Sequence, residues 1–447
     1  MITLRDVRLY TRRFPLRRPF RFGIVELNEL EHLVVAATFV IEGETVAGFA
    51  GENLVPRWFV KDASLPIENE IALMRQAVRV VAEAVLGQPA AASPFDFWWQ
   101  LQRFVRERSL VTPPLLAQLA ESLIERAAID AWSRVHRATF AELLRCDRLG
   151  VAWARVHDCI RDTPPASGWS GRTQTSLSVR HTVGLADDLS ELPHELRKTG
   201  IRRIKIKLAG DANADAGRIT EALRACDADG WPIERITLDG NENYHELSAF
   251  ERLTTLLSND PSLHAANGLI AWIEQPFHRS LALSDDVGSL LARVKCAPMI
   301  LDESDSSPAD LPRALALGYA GTTHKNCKGV FNSVLHRALL DRHAAMTGTQ
   351  TLFSGEDLTI VAPWSQASDL AIAAAVGVID IERNSHHFAD GLGGFGANVS
   401  EQALRDFPRL YRRRADGVVE LRIVEGRVEV PQRLPSPPDL DGFDEVT

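Results

Sequence analysis

Alternation of apolar and polar residues marks the start of the chain. "LRDVRLYTRRF" (4–14) alternates with a period of two. "HLVVAATFVIEGETVAGFAGE" (32–52) contains two such runs separated by Glu42 and Gly43, residues suited to a hairpin turn. From about Glu68 to Arg145 the period becomes helical. The clearest case, "LLAQLAESLIERAAIDAWSRV" (115–135), carries apolar positions at helical spacing over several turns. Strands followed by helices predict an α+β domain over residues 1–145. The Pro, Ser and Gly residues of "DTPPASGWSGR" (162–172) predict a linker after it.

Beyond the linker, short apolar runs alternate with helical segments. Eight strands are expected: "TSLSVRHTV" (175–183), "RRIKIKL" (202–208), "RITLDGN" (235–241), "LIAWIEQ" (269–275), "PMILDES" (298–304), "GTTHKN" (321–326), "QTLFSGE" (350–356) and "GVIDIERN" (377–384). Eightfold alternation over residues 170–404 predicts a parallel β/α barrel, with a doubly wound open sheet as the alternative. "GVVELRIVEGRVEVP" (417–431) predicts one more strand pair within residues 405–447, a segment expected to return to the N-terminal domain.

Composition narrows the function. With 447 residues, 45% hydrophobic and 24% charged, the chain has room for a large core. A net charge of −9 lacks the basic face that nucleic acid requires. Five scattered cysteines show no metal-binding spacing and read as reduced thiols of a cytoplasmic protein. No signal peptide is expected. The longest apolar run, "AIAAAVGVI" (371–379), is too short to span a membrane.

Barrel chemistry sits where strands end. The second strand ends with Lys205 and Lys207, the third with Asp239 and Asn241, and the fourth with Glu274. The fifth ends with Asp302 and Glu303, the sixth with Lys325, the seventh with Glu356 and Asp357, and the eighth with Asp380 and Glu382. A single charged residue at a strand end is ordinarily just solvated. Carboxylates on three adjacent strands converge, however, and repel one another unless a cation joins them. A hard divalent ion such as Mg²⁺ suits their oxygens. Such an ion stabilises the enediolate formed when a proton α to a carboxylate is removed, and a lysine can act as the base. Lys205 is expected to lower the pKa of Lys207 by like-charge repulsion.

These residues resemble the enolase superfamily, and within its mandelate racemase/muconate lactonizing enzyme family the muconate lactonizing subgroup. The resemblance is carried by "KIK" (205–207), "DGN" (239–241), "EQP" (274–276), "DES" (302–304) and "KNCKG" (325–329), in the family's order. It covers most of the chain, with "GFAGE" (48–52) similar to the family's G-x-G-E turn. It implies a modified TIM-type (β/α)₇β barrel under an α+β capping domain. Asp239, Glu274 and Asp302 would bind one Mg²⁺ per subunit. Lys207 and Lys325 would be the acid/base pair, assisted by Lys205. Asn241, Glu303, Glu356, Asp380 and Glu382 would support the site or touch substrate. Loops near 20–30 and 52–60 would cover it. The activity implied is that of an isomerase or lyase: racemase, epimerase or cycloisomerase of a small carboxylate such as an amino-acid derivative or dipeptide. An acid-sugar dehydratase, or a barrel altered into a binding protein, is the alternative. A homo-oligomer without membrane or nucleic-acid partners is also implied. His324 and Asn326 depart from the pattern by flanking Lys325 where apolar residues are usual.

Three weaker signals remain. "GLGGFG" (391–396) matches a dinucleotide motif but has too little chain after it for that fold, and reads as a glycine-rich loop. His386 and His387 read as surface or loop histidines, with substrate contact as the alternative. Asp380 and Glu382 loosely match a D-x-D ammonium clamp of relatives that act on dipeptides.

Overall fold

The computed structural model describes residues 1–22, 25–162 and 174–446. Of the expected linker, residues 163–172 lie outside this set, as do Gly23 and Ile24 in the expected covering loop. The N-terminal part is a twisted antiparallel sheet of β1 (Ile2–Phe22), β2 (Val25–Ile41) and β3 (Glu44–Asn53). β1 and β2 stay paired from Ile2↔Ile41 to Phe22↔Val25, with an irregularity between Pro15 and Phe20. Prolines at 15 and 19 supply no N–H to the ladder there. Against the sheet packs α3 (Pro114–His136), with α2 (Pro94–Glu107) beside it reaching β1, and α1 (Ile67–Val85) packs on α3 and α2.

α3 is buried almost all round because it touches the sheet on one side and the barrel loop at Asn326–Lys328 on the other. "GFAGE" is not a turn: it lies inside β3. Gly48 is needed there because a Cβ would collide with the Ala127 carbonyl of α3.

The second part is a closed barrel of eight parallel strands. They are β4 (Ser176–Val183), β5 (Arg203–Lys207), β6 (Arg235–Asp239), β7 (Ile270–Glu274), β8 (Met299–Leu301), β9 (Gly321–His324), β10 (Leu352–Gly355) and β11 (Asp380–Glu382). Each of the first seven is followed by a helix, and pairing of β11 with β4 closes the ring, which excludes the open sheet. The register aligns Lys207 with Asp239 and Asp239 with Glu274, so three charged side chains share one level of the mouth.

Past the barrel, β12 (Tyr411–Arg413) pairs with β13 (Val419–Leu421), and β14 (Ile423–Val424) with β15 (Arg427–Glu429). β15 runs antiparallel beside β4, and β16 (Asp444–Val446) pairs with β1. Among the described residues no helix is long and apolar enough to cross a membrane.

Polar side chains join the two parts. Glu125 of α3 accepts hydrogen bonds from the Phe331 and Val330 amides (2.6 and 3.1 Å) at the start of the helix Val330–Thr347. A carboxylate at a helix N-terminus complements the exposed amides. Asn53 of β3 donates to the Leu358 and Thr359 carbonyls at 3.1 and 2.8 Å. Its Oδ1 lies 2.7 Å from His32 Nδ1.

Burial pulls the His32 pKa down to about 4, despite the favourable Asn53 contact. Between pH 6.5 and 4 the unfolded chain therefore binds the His32 proton and the folded chain does not, so stability falls as pH falls through this window. His32→Gln lacks this contribution. Urea unfolding should show the stability difference between wild type and variant shrinking from pH 7 to pH 4 by about 3 kcal/mol.

Candidate active site

The site grows out of the loops that end β6, β7 and β8. Asn241 and Gln275 follow their strands with φ of 40° and 34°, left-handed values that non-glycine residues adopt at a cost of about 1 kcal/mol or more. The turns are held by what these side chains bind. The Asn241 amide donates to Asp239 Oδ1 (2.9 Å), and its Nδ2 donates to Glu303 Oε1 (3.0 Å). Gln275 Oε1 accepts from the Asp302 and Ser304 amides (2.9 and 3.2 Å), and its Nε2 donates to Ser304 Oγ (2.6 Å). The polar residues beside the acidic ones thus lock three strand ends into one frame. Gly240 lets the first two ends approach: a Cβ there would lie 2.5 Å from Pro276 Cα and 2.9 Å from the Gln275 carbonyl oxygen.

Inside this frame three buried lysines meet five buried carboxylates. Lys205 Nζ lies 2.6 Å from Glu382 and 2.8 Å from each of Asp239, Glu274 and Glu356. Lys207 Nζ is 2.5 Å from Asp239. Lys325 Nζ is 2.5 Å from Asp302 and 2.6 Å from Glu356. β5 and β9 stand four places apart in the eight-stranded ring, so Lys207 and Lys325 approach the mouth from opposite walls. Lys328 reaches the Asp302 carbonyl and Thr323 Oγ1, both at 3.1 Å, and Asp305 at 3.2 Å. Thr323 in turn donates to Asp302 Oδ1 at 2.5 Å.

Burial disfavours every charge here, and the pairings decide which survive. It pulls Lys205 and Lys325 down, but their carboxylate neighbours outweigh it and hold both well above the usual lysine range. Lys207 is also raised: burial and Lys205 lower its pKa, and Asp239 overcomes both. The lowering expected from Lys205 is therefore present but does not win. Asp239 resists burial through its two lysines and is held down at about 2. Glu274 is pushed well above the carboxylate range by burial and by Glu356, and Glu303 reaches about 7 through burial and Asp302.

Glu274, Asp302 and Glu356 present oxygens within 4.8 Å of one another, and buried Glu274 Oε2 has no donor. An all-oxygen set of this kind fits a hard divalent cation.

The expected ligand set differs from this cluster in one member. Glu274 and Asp302 meet as expected, Glu356 joins them, and Asp239 turns toward Lys205 and Lys207. Asp380 does not reach the pocket. It lies a level below Glu382, held by Arg203 (2.8 Å), Arg180 (3.1 Å) and Arg235 (3.2 Å), so it offers no clamp for a substrate ammonium. Glu382 does line the pocket, oriented by Thr182 (2.5 Å) and Asn384 (2.7 Å).

The unusual residues beside Lys325 point away from the mouth. His324 Nδ1 lies 2.7 Å from Ser333 Oγ, and Asn326 donates to Asp369. His387 is buried and His386 half-buried against His181, and neither is among the residues that line the pocket. The capping part supplies Phe20, Phe22, Val55 and Trp58 as the pocket's outer wall, with Leu358 from the barrel. Sequence reasoning placed the covering loops but not these individual side chains. Phe20 and Phe22, either side of Arg21 at the end of β1, and Trp58 after Arg57 were the available signal, as aromatic residues beside a charged one.

No family model and no curated protein sequence matches the chain. Solved structures do. A mandelate racemase/muconate lactonizing protein from Herpetosiphon aurantiacus superposes with a TM-score of 0.63 at 15% identity, covering 100% of this chain and 99% of that one. An enolase from Bradyrhizobium, complexed with magnesium and mandelic acid, gives 0.62 at 16% identity over 100% and 99%. A dipeptide epimerase from Cytophaga hutchinsonii, complexed with Mg and the dipeptide D-Ala-L-Val, gives 0.63 at 14% identity over 99% of both chains. The chain has the mandelate racemase/muconate lactonizing enzyme fold. In this instance of that fold, the frame around β6, β7 and β8 depends on the close approach at Gly240. Gly240→Ala should lower stability by about 1–3 kcal/mol, the usual cost of overpacking, read as a drop in thermal unfolding midpoint. An unchanged midpoint would mean that the loops after β6 and β7 can separate freely.

Proposed function

We propose that this protein is an enolase-superfamily enzyme that removes the proton α to a carboxylate and, as a racemase or epimerase, returns a proton to the opposite face. The observation that carries this reading is the placement of Lys207 and Lys325 on opposite walls of one pocket that Asp239, Asp302, Glu356 and Glu382 also line. Asp239, Glu274 and Asp302 would hold one Mg²⁺ per subunit, with Glu356 in reach. When bound, Mg²⁺ supplies fixed positive charge against the negative charge that develops on the substrate carboxylate.

Lys207 takes the α-proton at Nζ as the C–H bond breaks, and the bonding electrons move onto the carboxylate as an enediolate. This requires a neutral amine. In the structure Asp239 retains the Lys207 proton. Once Asp239 is engaged elsewhere, the nearby charge of Lys205 favours the neutral form. Lys325 carries its proton beside Asp302 and Glu356, and its transfer to the other face forms the new C–H bond. Glu382 and Asn384 line the wall nearest Lys205, and Glu303 fixes Asn241. The neighbours solved with magnesium together with mandelic acid or a dipeptide support the choice of metal and of a small carboxylate substrate.

Calorimetry should detect one Mg²⁺ site per chain, weakened at least about tenfold in Glu274→Gln and Asp302→Asn, a loss of about 1.4 kcal/mol or more. Across a panel of α-substituted carboxylates in D₂O, NMR should detect α-hydrogen exchange. Lys207→Ala and Lys325→Ala should each reduce racemisation by at least about 10²–10⁴-fold, the usual contribution of a general base. Each should retain exchange of one enantiomer only. Exchange of both enantiomers in both variants would remove these lysines from the chemistry. Lys205→Ala should move the alkaline rise of the rate to higher pH, because it removes a charge that lowers the Lys207 pKa.

A further inference from the structure

We infer that Arg180, beneath the site and shut off from substrate, is a positioning residue for Lys325, acting through Ser354 and Glu356. This rests on the proton-transfer reading and adds to it a residue that touches no reacting group. Barrel interiors are ordinarily filled with branched apolar side chains. Here the level below the mouth is largely polar. Counting back two residues from Thr182, Asp239, Glu274, Glu356 and Glu382 gives the next inward-facing positions. They hold Arg180, Thr237, Trp272, Ser354 and Asp380, each no more than 4% exposed.

Arg180 is the cation of that level. Its Nε lies 3.1 Å from Asp380 Oδ1, and its guanidinium lies over the Trp272 ring, 4.8 Å from the centre. Burial opposes the charge, and Asp380 and Glu356 outweigh it. Asp380 is itself held by Arg203 and Arg235, so the pair is fixed from below. On its upper side, Arg180 Nη2 donates to Ser354 Oγ (2.7 Å) and to the Gly355 carbonyl (2.9 Å), and stands 3.5 Å from Glu356 Oε1. A guanidinium has no acceptor, and an ionised carboxylate has no donor. The single Ser354 hydroxyl proton is therefore left for Glu356 Oε1, 3.2 Å away. Arg180 sets the direction of Ser354, and Ser354 holds one oxygen of Glu356.

The other oxygen, Oε2, accepts from Lys325 at 2.6 Å and from Lys205 at 2.8 Å. The two lysines depend on it unequally. Among the described residues Lys205 has three further carboxylate partners, Asp239, Glu274 and Glu382, and Lys325 has one, Asp302. In the proposed reaction Asp302 is shared with Mg²⁺, which leaves Glu356 as the group that aims Lys325 Nζ. Lys207, on the opposite wall, pairs with Asp239 instead. A Glu356 carboxylate free to rotate swings Oε2 away from Lys325 and leaves Lys207 where it is. Arg180 therefore acts on one face of the substrate.

The test compares Ser354→Ala and Arg180→Met with wild type, each as the full chain with Mg²⁺. Crystal structures of both variants should show the Glu356 carboxylate turned away from Lys325, with Oε2 beyond hydrogen-bond distance of Nζ, about 3.5 Å or more. In D₂O, NMR of the separate enantiomers of mandelate and of N-acetylphenylalanine should show a one-sided loss. The enantiomer that Lys207→Ala still exchanges is the one Lys325 serves. Its exchange should slow by about 10²-fold, at least about tenfold more than that of its mirror image. Ser354→Ala removes one hydroxyl and keeps the Arg180–Asp380 pair, so it decides the question if Arg180→Met does not fold. Glu356 unmoved, exchange unslowed, or equal slowing of both enantiomers in the folded variants would overturn the inference. Equal slowing is what a merely structural loss produces. Absence of exchange in wild type counts instead against the proton-transfer reading, and the position of Glu356 then decides the inference alone.

Discussion

Mutual repulsion among buried carboxylates is the constraint on which this structure depends. Asp239, Glu274, Asp302, Glu356 and Glu382 are all at most 3% exposed and converge at one end of the barrel. In so poorly solvated a place they cannot all be ionised without cations among them. Three lysines supply part of the compensation, and Lys205 touches four of the five. The rest shows in Glu274, whose carboxyl is pushed well above its usual range. Charges arranged in this way persist only if the backbone holds them there. Asn241 and Gln275 do so from strained conformations stabilised by their own hydrogen bonds.

The capping part makes that arrangement possible by excluding water. Phe20, Phe22, Val55 and Trp58 lie over the charged floor, and polar joints fix the cover to the barrel. The joints act on the same loops that carry the chemistry. Arg279 and Lys61 meet at Glu242, next to Asn241, and Glu125 of α3 caps the helix that begins five residues after Lys325. Closing the pocket and positioning the charged groups are thus one structural event. Electrostatic interactions gain strength when water leaves, so the cover contributes to the site's electrostatics.

Much of this was legible along the chain. The eight barrel strands stand where the period-two and apolar runs placed them, because alternation is a local property of a strand with two unlike faces. The barrel itself was legible because strand and helix alternate regularly. The acidic and basic residues were visible as a series because each ends its own strand. Residues whose role depends on a distant partner were not legible. Asp380 and Glu382 look equivalent in "DIE", yet one meets three arginines from β4, β5 and β6 and the other meets Lys205. Glycines in "GFAGE" suggested a turn, whereas they sit in a strand and make room for a helix from elsewhere in the chain.

By itself the sequence determined the order of elements, the barrel with its cap, and the set of lysines and carboxylates at the strand ends. These follow from periodicity and position, which need no knowledge of contacts. Only the tertiary structure decided how the charges are shared: Asp239 with the lysines, Glu356 with Glu274 and Asp302, and Lys207 with a pKa raised rather than lowered. It also decided that the outer wall is apolar and anchored. The physical reason is the same in each case. A buried group's ionisation and orientation depend on the few neighbours within about 4 Å and on the absence of water, and folding brings those neighbours from strands and loops far apart in the chain.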